Sequence, residues 1–180
     1  MSASDQSSLV TRWALIGASD IAATRIIPAI RAHGGHINVV QSGSADWATE
    51  YAARLGIDEW TTSVEDAVAR RDVDAVYVSS HNAKHHNQVI AAARAGKHVL
   101  AEKPLALSVD DARAMVDACR AAGVVLATNH HLPSSPVHMA MKETLPRVRR
   151  LTRRATSPVA SGPLPDGARQ PACQRGPPRR

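Results

Sequence analysis

Residues 12–22 read RWALIGASDIA, and this stretch decides the fold class. The apolar run at 13–16 is typical of a short buried strand, and Gly17 follows it directly. The small and polar residues at 18–22 then lead into a helical pattern that continues to His33. A strand that turns at a glycine into a helix is the first half of a βαβ unit.

Outward from this stretch, short apolar runs alternate with helical patterns. Further strands are predicted at 37–41, 60–62, 75–79, 98–101 and 124–127. Helices are predicted around 48–55, from a cap at Ser63, at 84–95, and from a cap at Ser108 to Gly123, and Pro28 predicts a break in the first helix. This alternation predicts an α/β fold, a doubly wound parallel sheet with helices on both faces. Ligands then bind beyond the carboxyl ends of the strands.

The net charge of +6 comes from the C-terminal segment. Residues 146–180 hold nine arginines and one acid, whereas residues 1–145 hold 13 basic and 15 acidic side chains. The segment has no aromatic residue and is mostly Arg, Pro, Ala and Gly, so we expect it to be a disordered tail. The predicted domains are a disordered N-terminus at 1–11, the doubly wound α/β domain at 12–145 and the tail at 146–180.

Composition excludes several classes of protein. The two cysteines, Cys119 and Cys173, cannot form a disulfide framework, which favours a reducing compartment. No apolar run reaches membrane-spanning length and the first eight residues are polar, so we expect a soluble, cytoplasmic domain without a membrane partner. Paired arginines in the tail allow a nucleic-acid binder as one interpretation, but no aromatic residue accompanies them for base stacking.

The turn at 17–22 has the position of a dinucleotide fingerprint, although only the first glycine of G-x-G-x-x-G is present. Ser19 and Ala22 are small enough for a phosphate to approach, but such a turn also serves simply to join a strand to a helix. The second strand ends without the carboxylate that usually binds the ribose of NAD, which favours NADP, yet no arginine is nearby for its 2′-phosphate.

Other chemistry-bearing residues are ambiguous when taken singly. Lys103 follows a predicted strand, where it can polarise a carbonyl or simply face solvent. His81, His85 and His86 have no carboxylate or thiol nearby to complete a ligand set, so we predict no metal site. Cys119 lies on the apolar face of a predicted helix and is interpreted as a core residue.

Taken together the motifs are specific. RWALIGASDIA at 12–22, DVDAVYV at 72–78, AGKHVLAEKPLA at 95–106 and TNHHL at 128–132 occur in this order. In this combination the chain resembles the Gfo/Idh/MocA family of oxidoreductases, from about Arg12 to Leu145. Within the family, the first and last motifs are most similar to NADP-dependent reductases of a sugar-like carbonyl.

The resemblance implies a site with NADP as cofactor, or NAD as the alternative. Lys103 would be the catalytic lysine, its bond to Pro104 cis. The implied cofactor-binding residues are Gly17, Ala18, Ser19, Asp20 and Ile21 at the pyrophosphate, Ser42 and Gly43 at the adenosine ribose, Ser79, Ser80, His81, Asn82 and His85 along the cofactor, and Glu102, Lys103 and Asn129 toward the nicotinamide.

Two departures from the family pattern stand out. Trp47 occupies the place where the most similar branch has an arginine for the 2′-phosphate. From Pro146 onward nothing matches the family's second α/β domain, which supplies the substrate pocket and the dimer interface. Because the tail is rich in residues with GC-rich codons, we hypothesise a frameshift near Leu145, which translation of the other two frames tests.

The sequence therefore supports two main hypotheses. The first is an NAD(P)-dependent oxidoreductase that transfers a hydride to a sugar-like carbonyl, with Lys103 assisting at the oxygen. The second is a cofactor-binding module without turnover, because the substrate domain is absent.

Overall fold

The structure, a computed structural model, describes residues 10–132 and 135–144, and the predictions for residues 1–9 and for the tail lie outside these ranges. Contacts divide the chain at Ser135 into two units, each described by itself, and the first contains a six-stranded sheet. The strands are β1 Arg12–Ile16, β2 His36–Gln41, β3 Glu59–Thr61, β4 Ala75–Val78, β5 His98–Ala101 and β6 Leu126–Thr128. The helices are α1 Ile27–Ala32, α2 Ala45–Leu55, α3 Val64–Ala69, α4 His85–Arg94, α5 Val109–Ala121 and, in the second unit, α6 Pro136–Thr144.

The six strands are all parallel and lie in the order β3-β2-β1-β4-β5-β6. The chain winds outward from β1 to β3, returns to the other side of β1, and winds outward again to β6. β1 and β4 are therefore neighbours in the sheet. The predicted doubly wound α/β fold is confirmed. In such sheets a ligand binds at the carboxyl edge where the winding reverses, which here lies between β1 and β4.

Apolar side chains pack on both faces of the sheet. On one face Ile16, Val76 and Val78 pack with residues of α3, α4 and α5. On the other face Leu15 and Tyr77 pack with residues of α1 and α2. Adjacent residues of a strand join opposite clusters because their side chains alternate across the sheet. Each fully buried aliphatic side chain contributes about 1.5–3 kcal/mol, so the two helical layers fix the central strands that carry the site.

Serine caps start three of the helices. Ser44, Ser63 and Ser108 each accept a hydrogen bond from the backbone N–H three residues later, at the starts of α2, α3 and α5. Such a bond satisfies an amide that has no partner within the helix. The sequence predicted the caps at Ser63 and Ser108, and both are confirmed. Cys119 on α5 is 2% exposed, which confirms its place in the core.

The first helix differs from a regular α-helix ahead of Pro28. A π-helical turn covers Ala22–Ile26, and α1 then begins at Ile27. The Ile27 N–H donates to the carbonyl of Ala22, five residues back. Because a proline ring clashes with the carbonyl four residues earlier, a widened turn relieves the crowding just before Pro28. The predicted break is therefore present, as a change of helix type.

The last strand starts later than predicted. The sequence predicted residues 124–127, but β6 covers Leu126–Thr128. The Val124 N–H donates to the carbonyl of Cys119, and the intervening Gly123 has φ +67°. This bond belongs to the closure of α5, because helix ends are commonly completed by a left-handed glycine and a bond to the carbonyl five residues back.

Candidate functional site

Four loops meet at the carboxyl edge of the sheet. Three backbone N–H groups each donate to the carbonyl of the last residue of the neighbouring strand over 2.7–2.8 Å: Ser79 to Ile16, Glu102 to Val78 and Asn129 to Ala101. The first residue after β4, β5 and β6 is thereby bonded to the strand beside it. Gly17 is bonded in the same way to Gln41 at the end of β2, at 3.0 Å. The residues predicted from separate motifs thus follow neighbouring strands at one edge.

At Gly17 the β1 turn lies against the backbone of the β4 loop. Its φ is +104°, and a Cβ atom at this position would lie 2.7 Å from the backbone nitrogen of Ser80 and 2.9 Å from the carbonyl carbon of Ser79. Both values are shorter than van der Waals contact. Only glycine fits here, because a side chain would meet rigid backbone and the dihedral angle disfavours other residues.

Hydroxyl groups join the β1 turn to the β4 loop. The Ser19 Oγ donates to the Ser79 Oγ at 2.8 Å, and the Ser79 Oγ in turn donates to the Gly17 carbonyl at 3.2 Å. The Ser19 Oγ also accepts from the Ala22 N–H at 3.2 Å. The two serines that the resemblance implies on separate loops are therefore bonded to each other, and they hold the turn in one conformation.

Two side chains of α2 bind the same turn from the other side. The Trp47 Nε1 donates to the Ala18 carbonyl at 3.0 Å, and the Tyr51 hydroxyl donates to the Ser19 carbonyl at 2.8 Å. The guanidinium of Arg54 lies 5.4 and 5.5 Å from the centres of the two rings. Burial raises the pKa of Tyr51 to about 12, so its hydroxyl keeps the proton that it donates.

These two bonds also orient the amide groups of the turn. The peptide bonds here are trans, so the N–H that follows a carbonyl points away from it. With the carbonyls of Ala18 and Ser19 directed at α2, the N–H groups of Ser19 and Asp20 point away from α2. Donors arranged in this way suit an anion such as a phosphate.

The end of β2 presents hydroxyls and open space. The Ser42 N–H donates to the Thr61 carbonyl at 3.1 Å, and the Ser42 Oγ accepts from the Ser44 N–H at 3.4 Å. A Cβ atom at Gly43 would meet nothing within 4 Å. The carboxylate nearest along the chain is Asp46, in the first turn of α2. This part of the edge has room for a sugar group.

His85 lies beneath the loops rather than among exposed groups. It is fully buried, with its Nδ1 3.1 Å from the Pro104 carbonyl and its Nε2 3.2 Å from the Ser80 carbonyl. The ring thus connects the loop after β4 to the loop after β5. Its neighbours His81 and Asn82 are exposed at the edge, where the Lys84 N–H donates to the His81 carbonyl at 2.8 Å.

Glu102 is a buried carboxylate with three donors. It is 9% exposed, and its Oε1 accepts from the Tyr77 hydroxyl and from the Asn129 Nδ2, both at 2.6 Å. Its Oε2 accepts from the Lys103 N–H at 3.1 Å. Burial acts to raise the pKa of Glu102, but the hydrogen bonds from Tyr77 and Asn129 outweigh it and the net pKa is lowered. The pKa of Tyr77 is raised, first by burial and then by this bond.

Lys103 is exposed beside this carboxylate, and the predicted cis bond to Pro104 is confirmed. A cavity of about 120 Å³ is lined by Lys103, His130, His131 and Leu132. A second cavity, of about 240 Å³, lies between the starts of α3 and α4, and its lining includes Val64, Ala83 and Gln88. Gln88 also accepts a hydrogen bond from the Ser80 hydroxyl.

Sequence reasoning missed three of these participants. Tyr51 falls within a predicted helix and Tyr77 within a predicted strand, and neither is singled out, whereas Trp47 appears only as a departure from a family pattern. The spacing of Trp47 and Tyr51 by four residues after the Ser44 cap was the available signal, because it places both on one face of α2 near its start. Nothing in the sequence marks the Tyr77 hydroxyl as a donor.

In residues 10–132 and 135–144, no group of three or more His, Cys, Asp or Glu side chains is placed to hold a metal ion. In the same residues, no helix is long and apolar enough to span a membrane.

Comparison with known proteins agrees with the geometry. A 1,5-anhydro-D-fructose reductase of Ensifer adhaerens is 54% identical over 136 residues, which are 76% of this chain and 41% of the relative. The D-xylose 1-dehydrogenase (NADP(+)) 2 of Haloferax volcanii is 34% identical over 149 residues, 83% of this chain and 42% of the relative. The chain therefore spans less than half the length of these relatives. The expected similarity to sugar reductases is confirmed by the first of them.

Solved structures give the same result. The crystal structure of KijD10, a 3-ketoreductase from Actinomadura kijaniata in complex with NADP, matches with a TM-score of 0.70 and 32% identity, over 77% of this chain and 44% of that one. The model of the oxidoreductase family with an NAD-binding Rossmann fold, GFO_IDH_MocA, matches residues 11–130. The chain belongs to the Gfo/Idh/MocA oxidoreductase family, of which it carries the NAD-binding Rossmann fold.

Proposed function

We propose that residues 12–145 form the dinucleotide-binding domain of an NAD(P)-dependent oxidoreductase that reduces a sugar-like carbonyl, similar to 1,5-anhydro-D-fructose. One observation carries the proposal: Glu102 and Lys103 follow β5 at the same sheet edge as the Gly17 turn, two strands away. A turn suited to phosphate and a lysine suited to a carbonyl oxygen are thus placed along one crevice. The family match over residues 11–130 supports this division of the chain.

The residues at this edge fit a dinucleotide. The turn from Gly17 to Ile21 would hold the pyrophosphate, because two of its N–H groups point away from α2 and the glycine permits close approach. Ser42 and Gly43 would contact the adenosine ribose, next to open space. The loop Ser79–Asn82 would line the middle of the cofactor. Asn129 and Glu102 would stand at the nicotinamide end, and His85 would act from below through the Ser80 carbonyl.

We propose NADP as the cofactor, with NAD as the alternative. The relative from Haloferax volcanii is described as NADP-dependent, and KijD10 was solved with NADP. No carboxylate occurs in residues 41–45 to repel a 2′-phosphate. The hydroxyls of Ser42 and Ser44 are available as donors there, whereas the indole of Trp47 is engaged with the Ala18 carbonyl.

The chemistry follows from the position of Lys103. The bound cofactor supplies a hydride to the carbonyl carbon. As that carbon accepts the hydride, the oxygen would gain negative charge, and the Lys103 ammonium group would donate a proton to it. The Glu102 Oε2 accepts from the Lys103 backbone N–H at 3.1 Å and so fixes the backbone from which the lysine side chain extends. Lys103 would be the catalytic residue and Glu102 a positioning residue.

A second candidate function is cofactor binding without turnover. The cavity beside Lys103 measures about 120 Å³, whereas pockets for small ligands usually occupy about 300–1,000 Å³. Lys103 itself is exposed. Proton donation to a carbonyl is efficient only when the substrate is held in position, so the lining seen here favours slow or absent turnover.

One titration tests both candidates. The purified 180-residue chain is titrated with NADPH and with NADH while the cofactor fluorescence is followed, and 1,5-anhydro-D-fructose is then added. A saturable change is expected with at least one cofactor, and no such change with either refutes the proposed function. Consumption of the reduced cofactor after sugar addition identifies the enzyme, and binding without consumption identifies the module.

A matched pair of lysine variants identifies the catalytic group if consumption occurs. Lys103→Met is expected to abolish it, because the proton donor is lost. Lys142→Met, which removes a lysine of α6, is expected to leave it unchanged. Equal rates in the two variants would exclude Lys103 as the proton donor.

A further inference from the structure

The carboxylate of Glu102 is held in the charged form by its surroundings. All three of its contacts are donors: the Tyr77 hydroxyl, the Asn129 Nδ2 and the Lys103 N–H. A protonated carboxyl group would have to donate a hydrogen bond itself, whereas the amide and backbone donors offer no acceptor. The lowered pKa of Glu102 agrees with this geometry. A negative charge is therefore fixed at the end of β5 and largely shielded from solvent, at 9% exposure.

The position of this charge relative to the cofactor follows from the sheet. A dinucleotide that crosses a doubly wound sheet places its pyrophosphate over the turn after β1 and its adenosine ribose toward the end of β2. The nicotinamide ring would then extend to the other side, toward β4 and β5. Strands lie about 4.8 Å apart, so Glu102 stands roughly 10 Å from the pyrophosphate turn, within the length of the nicotinamide arm.

We propose that Glu102 makes this site discriminate between the redox states of its cofactor, binding the oxidised form more tightly than it would without the buried carboxylate. This inference rests on the proposed function. The nicotinamide ring carries a positive charge only when it is oxidised, and the carboxylate attracts that charge. The reduced ring is neutral and gains nothing from it. Hydride transfer to a carbonyl carbon, with the proton for the oxygen coming from Lys103, would leave the bound cofactor oxidised, so the same carboxylate would favour that direction of transfer.

Lys103 is the charged group closest to Glu102 along the chain and opposes its field. Its ammonium group would repel an oxidised ring, but Lys103 is exposed and water screens its charge. The Glu102 carboxylate is buried and less screened. Even at about 10 Å, the separation of Glu102 from the more distant pyrophosphate turn, Coulomb's law with an effective dielectric constant of about 20 gives an effect on the order of tenfold in affinity.

The test is to measure the dissociation constants of NADP⁺ and NADPH, and of NAD⁺ and NADH, for the full chain and for Glu102→Gln. The variant is expected to bind the oxidised form on the order of tenfold more weakly, with little change for the reduced form. Asp117→Asn is the matched control, since it removes an exposed carboxylate on α5. It should leave unchanged the ratio of the dissociation constants for the oxidised and the reduced form of each cofactor. An unchanged ratio in Glu102→Gln, or equal weakening of both forms, overturns the inference.

Lys103→Met provides an independent test, because an exposed residue can be replaced with little risk to the fold. Removing its positive charge should shift the ratio in the opposite direction, toward tighter binding of the oxidised form. Because water screens the exposed ammonium group, this shift should be smaller than the shift in Glu102→Gln. A shift in the same direction as in Glu102→Gln would mean that the charges of residues 102 and 103 do not act on the ring, which also overturns the inference. Failure of the unaltered chain to bind any of the four nucleotides refutes the proposed function itself, and is thereby distinguished from binding with an insensitive ratio.

Discussion

Replacing Gly17 by alanine tests the contact on which the site is built. The new Cβ would lie 2.7 Å from the Ser80 nitrogen, and the residue would keep a φ near +104° unless the backbone moved. A left-handed backbone costs an alanine about 1–2 kcal/mol. Overlap with rigid backbone adds about 1–3 kcal/mol. The expected loss in the free energy of unfolding is therefore about 2–5 kcal/mol, a large share of the roughly 5–15 kcal/mol typical of a domain.

Gly96→Ala is the control for this experiment, because Gly96 also has a positive φ, +72°, but a Cβ atom there meets nothing within 4 Å. It should lose only the backbone contribution, about 1–2 kcal/mol. Urea unfolding with linear extrapolation measures both variants. The difference between them isolates the steric contact with the β4 loop. If Gly17→Ala is no less stable than Gly96→Ala, the two loops are not in close contact and the construction of the site from this contact fails.

Two further outcomes are expected. Tyr51→Phe removes the donor to the Ser19 carbonyl and should lower the free energy of unfolding by about 1 kcal/mol and weaken nucleotide binding; unchanged affinity in a fluorescence titration would show that the turn does not need this bond. The hydrogen bond from Arg12 lowers the pKa of Asp74 from 3.8 to about 2, so its contribution to stability is present above pH 3.8 and lost as the pH falls through about 2. Urea midpoints across this range should therefore change less with pH in Asp74→Asn than in Asp117→Asn, and equal slopes would contradict the ion pair with Arg12.

Local patterns predicted the elements well where a single residue determines the outcome. Serine is a preferred residue at helix starts because its oxygen accepts from a free amide, so the caps at Ser63 and Ser108 were predictable from the helical patterns that follow them. The start of β6 was not predictable in this way, because Val124 is apolar and suits a strand as well as it suits the end of a helix. Its N–H instead completes the end of α5 through the Cys119 carbonyl, and that choice depends on where Gly123 allows the chain to turn.

The site shows the same division between local and tertiary information. Motif order placed Gly17, Glu102 and Lys103 at strand ends, and the parallel sheet then necessarily brings them to one edge. The donors to those residues were not predictable. Tyr77 is a buried strand residue like its neighbours, and only the pairing of β4 with β5 brings its hydroxyl to Glu102. The burial of His85 likewise depends on the approach of the loops that carry Ser80 and Pro104.

Hydrogen bonds, together with short stretches of chain, link the segments around the crevice. Ser19 is bonded to Ser79, the next residue, Ser80, is linked through the imidazole of His85 to Pro104, and Glu102 is bonded to Asn129. Segments that follow four different strands are thus fastened before any ligand arrives. A nucleotide that binds between these segments would restrict little further motion of the protein chain, so most of its interaction energy would be retained as affinity. Its association should resemble the docking of two rigid bodies, with a rate set by diffusion and orientation rather than by loop rearrangement.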